Sequence, residues 1–323
     1  MMNRKWYEDL PKPVAFALSG GASLGSVQVG MIRALRDAGI YPDLVVGSSV
    51  GSLNAAAIAC YGLDAAVDVL ETTWSQLRRH DIFPGGVLAQ ALCLLRTRQS
   101  LFRQDRLAKL IARIQTDPFI ENLSMPLGIL ATELATYEGV LFTAGKLQSA
   151  LLASTAIPGL YPPVQIEDKW YIDGSCTENV PLRAAMQMGA GSIVVLDTGN
   201  VPRAHRTPRH VGDLLHAVVR GTVRQRVLLE APLIAQHLPV IYLPAPSLSG
   251  IGFMDFDRSS ELMHQAETTV TQFLAITPPP KPGVMSGSLR CRQVHRQHST
   301  VQPESTALGQ LENPRLSMDF CGS

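Results

Sequence analysis

One short stretch of the chain has a residue pattern that could perform nucleophilic chemistry. Ser49 lies at the centre of a Gly-x-Ser-x-Gly motif, between Gly47 and Gly51. Residues 44–46 before it are apolar, as at the end of a buried strand, and the alanine-rich run after it is typical of a helix. A strand that turns into a helix around a serine is a nucleophile elbow, which exposes the hydroxyl beside the positive end of the helix. The motif predicts a serine nucleophile, with a plain tight turn as the alternative.

A glycine-rich segment, residues 20–25, follows the first predicted strand (14–18) and precedes a helix closed by Gly39. Such a loop can bind an anion with its backbone N–H groups. A P-loop would need a lysine after Gly25, and a dinucleotide-binding loop would need a glycine in place of Ala22. An oxyanion hole needs only backbone N–H groups near the nucleophile, so we favour that interpretation. A turn that merely packs a helix on a sheet stays open.

A carboxylate, Asp173, follows the predicted strand Trp170-Tyr171-Ile172 and precedes Gly174. A carboxylate can deprotonate a serine if an apolar site raises its pKa toward neutrality. Asp before Gly is also a common turn former, so this assignment is open from the residues alone. An α/β-hydrolase triad of the order Ser, acid, His is a further alternative. Its histidine would be one of four downstream: His205, His210, His216 or His237.

The composition excludes several classes of protein. A chain of 323 residues, 46% hydrophobic, can build one large core, and a net charge of +1 argues against nucleic acid as a partner. The five cysteines have no metal-ligand spacing, which predicts free thiols in a reducing compartment, and neither a metal nor a cofactor is expected. The polar N-terminus is unlike a signal peptide, and the longest apolar run, 87–95, is too short to span a membrane. We therefore expect a cytoplasmic protein without a transmembrane segment, peripheral to a membrane at most.

Strand and helix patterns alternate along the chain and predict an α/β fold. Further helices are expected at 64–80, 100–114, 181–188, 211–229 and 259–276, and further strands at 127–132, 140–143, 193–196 and 240–243. Three consecutive prolines begin at Pro278, and the sequence after them lacks apolar periodicity. These features predict an N-terminal extension (1–12), one domain (13–277) and a disordered tail (278–323).

The predicted helix 100–114 has one apolar and one basic face. The basic residues are Arg103, Arg106, Lys109 and Arg113, with Arg96 and Arg98 just before them. A basic face is usually solvated surface, but beside the apolar run 87–95 it could contact anionic lipid. We hypothesise that this segment is a mobile cap over Ser49 that makes transient contact with an anionic membrane surface. An ordinary core helix is the alternative.

Taken together, these motifs resemble those of the patatin-like phospholipase family in its bacterial form. The loop 20–25 resembles the oxyanion motif of the family, and residues 47–51 resemble its serine motif. Asp173-Gly174 resembles its aspartate motif, and residues 153–164 the proline-rich block that precedes it. The resemblance covers residues 13–245.

The resemblance implies a three-layer α/β/α fold with a mostly parallel central sheet and a Ser-Asp dyad in place of a triad. Ser49 would be the nucleophile and Asp173 the general base of an enzyme that hydrolyses lipid or phospholipid esters through an acyl-enzyme. The oxyanion hole would be formed by backbone N–H groups around Gly20, Gly21 and Ala22. Four further glycines would support the motifs: Gly25, Gly47, Gly51 and Gly174.

The sequence departs from the family pattern at three positions. Ala22 stands where a third glycine is common, Leu24 where a basic residue is common, and Ser175 where glycine or alanine is usual. A β-carbon at Ala22 can narrow the oxyanion hole, and the missing cation weakens the case for a phospholipid over a neutral ester. A catalytically weak lipid-binding module of the same fold is therefore also considered.

Overall fold

A nine-stranded sheet organises the protein in the computed structural model, which describes residues 6–198, 211–247, 254–276 and 286–287. Its strands are β1 (Val14–Leu18), β2 (Leu44–Ser48), β3 (Leu127–Glu133), β4 (Gly139–Phe142), β5 (Val164–Ile166), β6 (Lys169–Asp173), β7 (Ser192–Leu196), β8 (Val240–Tyr242) and β9 (Ser286–Gly287). The order across the sheet is β5-β6-β3-β2-β1-β7-β8-β9, and β4 also pairs with β3. Neighbouring strands are parallel along the part of the sheet with the order β3-β2-β1-β7-β8-β9. On the other side of β3, the pairs β3–β4, β3–β6 and β5–β6 are antiparallel.

Helices cover both faces of this sheet. They are α1 (Gly25–Ala38), α2 (Val50–Gln76), α3 (Arg79–Ile82), α4 (Val87–Thr97), α5 (Asp105–Ile114), α6 (Leu147–Ser154), α7 (Leu182–Gln187), α8 (Val211–Ile234) and α9 (Ser259–Ile276). Successive side chains of a strand point to opposite faces, so Phe16 and Leu18 enter a core with α1, α2 and α9. Ala15 and Ala17 enter a second core with α7 and α8. The predicted α/β/α fold class is confirmed.

Two helices differ from the sequence prediction. The helix expected at 64–80 is the second half of α2, which continues through a kink at Gly62 (φ 73°, ψ 162°) and ends at Gln76. Glycine adopts this backbone conformation without strain, so it bends the helix without ending it. The helix expected from residue 100 begins only at Asp105. The preceding residues instead run alongside another segment: Ser100 forms a β-bridge with Gly159, and the N–H groups of Leu101 and Phe102 donate to the carbonyls of Gly159 and Leu160.

The predicted domain boundaries remain predictions. Most of the expected tail 278–323 and the expected surface loop 202–210 lie outside the described residues. Within the tail, Ser286 and Gly287 are described and pair in parallel with Ile241 and Tyr242 of β8.

One described helix, α2, is long and apolar enough to cross a membrane by length and composition alone. In its most apolar stretch, 61% of the residues are buried inside the protein, and core helices of soluble proteins meet the same criterion. The criterion is therefore weak support for a membrane span.

Candidate active site

Ser49 occupies the turn between β2 and α2, with φ 53° and ψ −129°, a backbone conformation that a serine adopts only under strain. Neighbouring glycines make the turn possible. A β-carbon on Gly47 would lie 2.3 Å from the Ser52 Cα atom, and one on Gly51 would lie 2.3 Å from the Leu18 carbonyl oxygen. Both positions therefore exclude any side chain. The structure thus has the strand–turn–helix geometry that the motif predicted.

The sheet register places Asp173 beside this turn. Ser48 is aligned with Leu130 of β3, and the next residue of β3, Ala131, is aligned with Asp173 of β6. Ser49 and Asp173 thus approach one another across β3. Because β6 is antiparallel to β3, the position of Asp173 does not follow from the rule that ligands bind at the carboxyl ends of parallel strands. The register of one antiparallel pair decides it.

The two side chains form a direct hydrogen bond, in which the Ser49 hydroxyl donates to Asp173 Oδ2 at 2.6 Å. The other carboxylate oxygen accepts from the Ser175 N–H at 2.8 Å. Ser49 is 5% exposed and Asp173 3% exposed. Burial raises the pKa of Asp173 from 3.8 to about 6, against the opposing effect of the hydrogen bonds from Ser49 and Ser175. A carboxylate with this pKa can accept a proton from serine near neutral pH.

A second serine, Ser154 at the end of α6, is hydrogen bonded to the backbone of Ser49. Its hydroxyl accepts the Ser49 N–H at 3.0 Å and donates to the Leu130 carbonyl at 2.6 Å. The carbonyl of Ser49 in turn accepts from the hydroxyl and the N–H of Ser52, at 2.6 and 2.9 Å. The backbone of the nucleophile is therefore fixed on both sides. The sequence analysis did not identify Ser52, and it included Ser154 only within the block 153–164, with no role assigned to it.

Of the three N–H groups in the glycine loop that we expected to form an oxyanion hole, one is already paired within the protein. The N–H of Gly20 donates to the Asn179 carbonyl at 3.0 Å, so it is not available to bind an oxyanion. The expectation that Gly20 contributes an N–H group to the oxyanion hole is therefore corrected. In the described part of the chain, the N–H groups of Gly21 and Ala22 have no partner. Ala22 adopts φ 51° in the left-handed region, which explains why a glycine would suit this position. Gly20 itself lies tightly against the site, since a β-carbon there would be 3.1 Å from the Ser49 Cβ atom.

Polar side chains at the end of β7 hold the start of this loop. The Ser19 hydroxyl donates to Asp197 at 3.1 Å and accepts the Thr198 N–H at 3.0 Å. The Thr198 hydroxyl donates to the Gly20 carbonyl at 2.9 Å. Tyr242 of β8 also donates to Asp197, which is 5% exposed. These residues are distant in sequence and carry no motif, so only the parallel alignment of β1, β7 and β8 brings them together.

A buried amide chain connects the same loop to α2. Gln28 of α1 donates to the carbonyls of Ser19 and Leu196, at 2.8 and 2.9 Å. Its oxygen accepts from Asn54 at 2.8 Å, and the Asn54 oxygen accepts from the Trp74 indole at 3.0 Å. Both amides are fully buried. Fully satisfied buried networks specify one arrangement, so this chain fixes the loop relative to the nucleophile helix.

An apolar cavity begins at Ser49 and Ala22. Its walls come from α2, α3, α5 and the aromatic side chains of Trp74, Phe83, Tyr161 and Phe256. Its lining is almost entirely apolar, so it suits a hydrocarbon chain better than a polar group.

Possible metal ligands and the candidate histidines are described only in part. Among them, no group of three His, Cys, Asp or Glu side chains could hold a metal ion. Of the four candidate histidines, the side chains of His205, His210 and His216 lie outside the part of the structure that is described. His237 is exposed in the turn after α8. Ser49 donates directly to a carboxylate, the arrangement of a dyad.

The comparisons with known proteins agree with this architecture. The family model described as patatin-like phospholipase matches residues 16–186, which include the glycine loop, Ser49 and Asp173. The chain belongs to the patatin-like phospholipase family. This confirms the family resemblance drawn from the three motifs.

Several curated proteins are similar to this patatin-like chain. Lysophospholipase NTE1 of Mycosarcoma maydis is 26% identical over 62% of the chain and 10% of its own length. An uncharacterised NTE family protein of Mycobacterium bovis is 26% identical over 65% of the chain and 56% of its own length. Patatin-like phospholipase domain-containing protein 7 of Rattus norvegicus is 27% identical over 62% of the chain and 14% of its own length. The chain thus matches between a tenth and just over half of the length of these relatives.

Among solved structures, VipD from Legionella pneumophila is similar over 82% of this chain and 67% of its own, with a TM-score of 0.44 and 15% identity.

The structure gives a physical account of two departures from the patatin-like pattern. Leu24 is 4% exposed and packs in the core on the α1 side, so no cation stands at this position of the loop. The Ser175 hydroxyl lies 3.5 Å from the Ser48 hydroxyl and is close enough to Asp173 to lower the pKa of that carboxyl. Residues 21–25 also have Gly-x-Ser-x-Gly spacing, yet Ser23 is fully buried in a 3₁₀ turn and is no candidate nucleophile.

Proposed function

We propose that this chain is a lipid acyl hydrolase that cleaves carboxylic esters through a Ser49–Asp173 dyad and an acyl-enzyme intermediate. The observation that carries the proposal is the 2.6 Å hydrogen bond from the Ser49 hydroxyl to a buried carboxylate at the mouth of an apolar cavity. A serine is a weak nucleophile without a base, and a base in hydrogen-bond contact meets the geometric requirement.

In the first half of the reaction, Ser49 Oγ attacks the ester carbonyl carbon while Asp173 Oδ2 takes the hydroxyl proton. The carbonyl oxygen becomes an oxyanion that the N–H groups of Gly21 and Ala22 bind, at the positive N-terminal end of α2. When the intermediate collapses, the carbon–oxygen bond to the alcohol breaks and Asp173 gives its proton to the leaving oxygen. The alcohol departs, and the acyl group stays on Ser49.

In the second half, water attacks the acyl carbon and Asp173 takes a proton from it. Collapse of the second intermediate returns that proton to Ser49, releases the carboxylic acid and restores the dyad. One carboxylate thus alternates between base and acid, which requires a pKa near the working pH. The value of about 6 for Asp173 suits this role.

The cavity determines the class of substrate that we propose. Leu53, Leu70 and Leu107 are among the apolar side chains that would enclose an acyl chain, while the alcohol part of the ester leaves past Ser49. With Leu24 in place of a cation in the glycine loop, neutral lipid esters and lysophospholipids are both candidate substrates.

The decisive experiment is covalent labelling with a fluorophosphonate probe, combined with turnover of a short nitrophenyl ester, a lysophospholipid and a phospholipid. We expect Ser49→Ala to abolish labelling and turnover. Ser23→Ala is the matched control, because Ser23 has the same motif spacing but no access to the cavity. Labelling retained in Ser49→Ala would overturn the proposal.

Two alternatives are decided by the same assay. A wild-type protein that binds lipid but neither labels nor turns over ester would be a lipid-binding module. A Ser-His-Asp triad would be indicated if His205→Ala, His210→Ala, His216→Ala or His237→Ala abolished turnover in a folded protein.

A further inference from the structure

Helix α4 presents large apolar side chains to solvent. Leu92 and Leu95, one helical turn apart, are 49% and 76% exposed, and they form what we call the α4 leucine face. Leu94 is also exposed, at 45%. Isolated exposed leucines are common, but two large ones on the same face of a short helix are of the kind that marks an interaction site.

The chain segments before and after α4 pack against each other beside the apolar cavity. Phe83, before the helix, packs against Phe102, after it, in a tilted arrangement with ring centroids 5.2 Å apart. Tyr161 lies against both rings and donates to the Ile82 carbonyl at 2.7 Å. Phe83 and Tyr161 also line the cavity that begins at Ser49. A surface that contacts the α4 leucine face is therefore held next to the acyl-binding cavity.

Positive charge is concentrated in the same part of the chain. Six basic residues and a single acidic one, Asp105, lie between Arg96 and Arg113, whereas the whole chain has a net charge of +1. Arg96 and Arg98 directly follow the leucines and are exposed. Among the described residues, no carboxylate lies within ion-pair distance of either guanidinium. Exposed leucines bordered by unpaired cations complement a partner that has a negatively charged outer layer and an apolar interior.

We infer that the α4 leucine face, with Arg96 and Arg98, docks on the surface of an anionic phospholipid bilayer. The leucines enter the boundary between head groups and acyl chains, and the two guanidinium groups lie against lipid phosphates. This inference rests on the proposed lipid acyl hydrolase function, because it explains how a cavity for acyl chains meets lipids held in a membrane. It also revises the cap hypothesis. Helix α5 is a core helix, with Leu107, Ile111 and Ile114 buried, and the membrane contact belongs to α4.

Vesicle co-sedimentation of the full chain tests the inference, with pure phosphatidylcholine compared with mixed phosphatidylcholine and phosphatidylglycerol. We expect tighter binding to the anionic vesicles, weakened by salt. Leu92→Gln with Leu95→Gln should lower the partition coefficient about tenfold or more, since exposed apolar area no longer enters the bilayer. Arg96→Gln with Arg98→Asn should lower it by about 25-fold on anionic vesicles only, at about fivefold per charge. Asparagine suits position 98 because Arg98 has φ 57°.

Leu229→Gln with Leu233→Gln is the matched control. These leucines are 68% and 58% exposed on α8, on the opposite side of the sheet from the cavity. Wild-type binding in the α4 leucine variant, or an equal loss in the α8 control, would overturn the inference. A dimer that dissociates in the α4 variant while vesicle binding persists would overturn it in favour of a second copy of this chain.

Turnover of a water-soluble nitrophenyl ester separates this inference from the proposed function. Because no side chain of α4 that the structure describes lines the cavity, the α4 variants should keep wild-type turnover of that ester while they lose turnover of vesicle lipid. If wild type binds vesicles as expected but turns over no ester, the docking inference stands and the hydrolase proposal fails.

Discussion

Replacement of the buried carboxylate, Asp173→Asn, should give a protein that is more stable and much less active than wild type. Asparagine has nearly the same shape as a protonated aspartate and can still accept the Ser175 N–H through its oxygen. Its amide nitrogen faces Ser49 but cannot take a proton. We expect kcat/KM to fall by a factor of about 10² or more.

The size of the stability gain follows from the pKa of Asp173. The folded value of about 6 lies above the ordinary value of 3.8, so the folded protein keeps a proton that the unfolded chain has lost between these pH values. The free energy of unfolding contributed by this group is therefore highest below about pH 4 and decreases as the pH rises through 6. A shift of about 2 units, at 1.36 kcal/mol per unit, corresponds to roughly 3 kcal/mol at pH 8. Asp173→Asn removes that cost.

Urea unfolding of the two proteins between about pH 5 and 8 measures this difference. The variant should be more stable than wild type near pH 8, by up to roughly 3 kcal/mol, and the gap should close as the pH falls. Glu178, whose pKa is also raised by burial to about 6, titrates in both proteins and cancels in the difference. A variant that is less stable than wild type at pH 8, or a gap that widens at low pH, would refute the claim that Asp173 is ionised at a desolvation cost.

Three further changes test the surroundings of the dyad. In wild type, kcat/KM should rise with pH, with a midpoint near pH 6. Ser175→Ala should move that midpoint to higher pH, because the Ser175 hydroxyl lowers the pKa of Asp173, and an unchanged pH profile would contradict this. Gly51→Ala should prevent folding or destabilise by several kcal/mol, as its β-carbon would lie 2.3 Å from a backbone carbonyl, whereas Gly221→Ala in open space on α8 should be neutral or slightly stabilising in thermal unfolding. Ala22→Gly should keep the free energy of unfolding within about 1 kcal/mol because relief of strain offsets the entropy gained by the unfolded chain, and Ala22→Val should lower both stability and fluorophosphonate labelling, because a β-branched residue is strained at φ 51°.

The sequence alone was sufficient for the features that depend on local backbone geometry. The motif around Ser49 requires two glycines because the turn brings backbone atoms within contact distance, and that requirement is visible in any sequence that forms it. Alternating apolar strands and amphipathic helices likewise predicted an α/β fold, and the family resemblance implied its three layers. The sequence could not limit this motif to one site, however, since residues 21–25 share its spacing. Burial of Ser23 is a tertiary fact.

Other features of the site depend on residues that only the folded chain brings together. Asp173 reaches Ser49 through the register of an antiparallel pair, 124 residues along the chain. The Gly20 N–H is occupied because Asn179, in the loop after Asp173, returns to the glycine loop. Ser154, Asp197 and the other anchors have ordinary sequence surroundings and act only through partners supplied by distant strands.

The pKa of Asp173 shows why some features of the site could be predicted from the sequence and others depend on the tertiary structure. An aspartate next to a glycine has the same sequence signature in an exposed turn as in a buried site. Its proton affinity is set by how much water the surrounding side chains exclude, and those side chains come from helices and loops spread over the chain. The sequence therefore determined which groups could react, through the local conformations that it enforces. Tertiary packing decided which of them do, because desolvation and hydrogen-bond geometry exist only once distant segments are in contact.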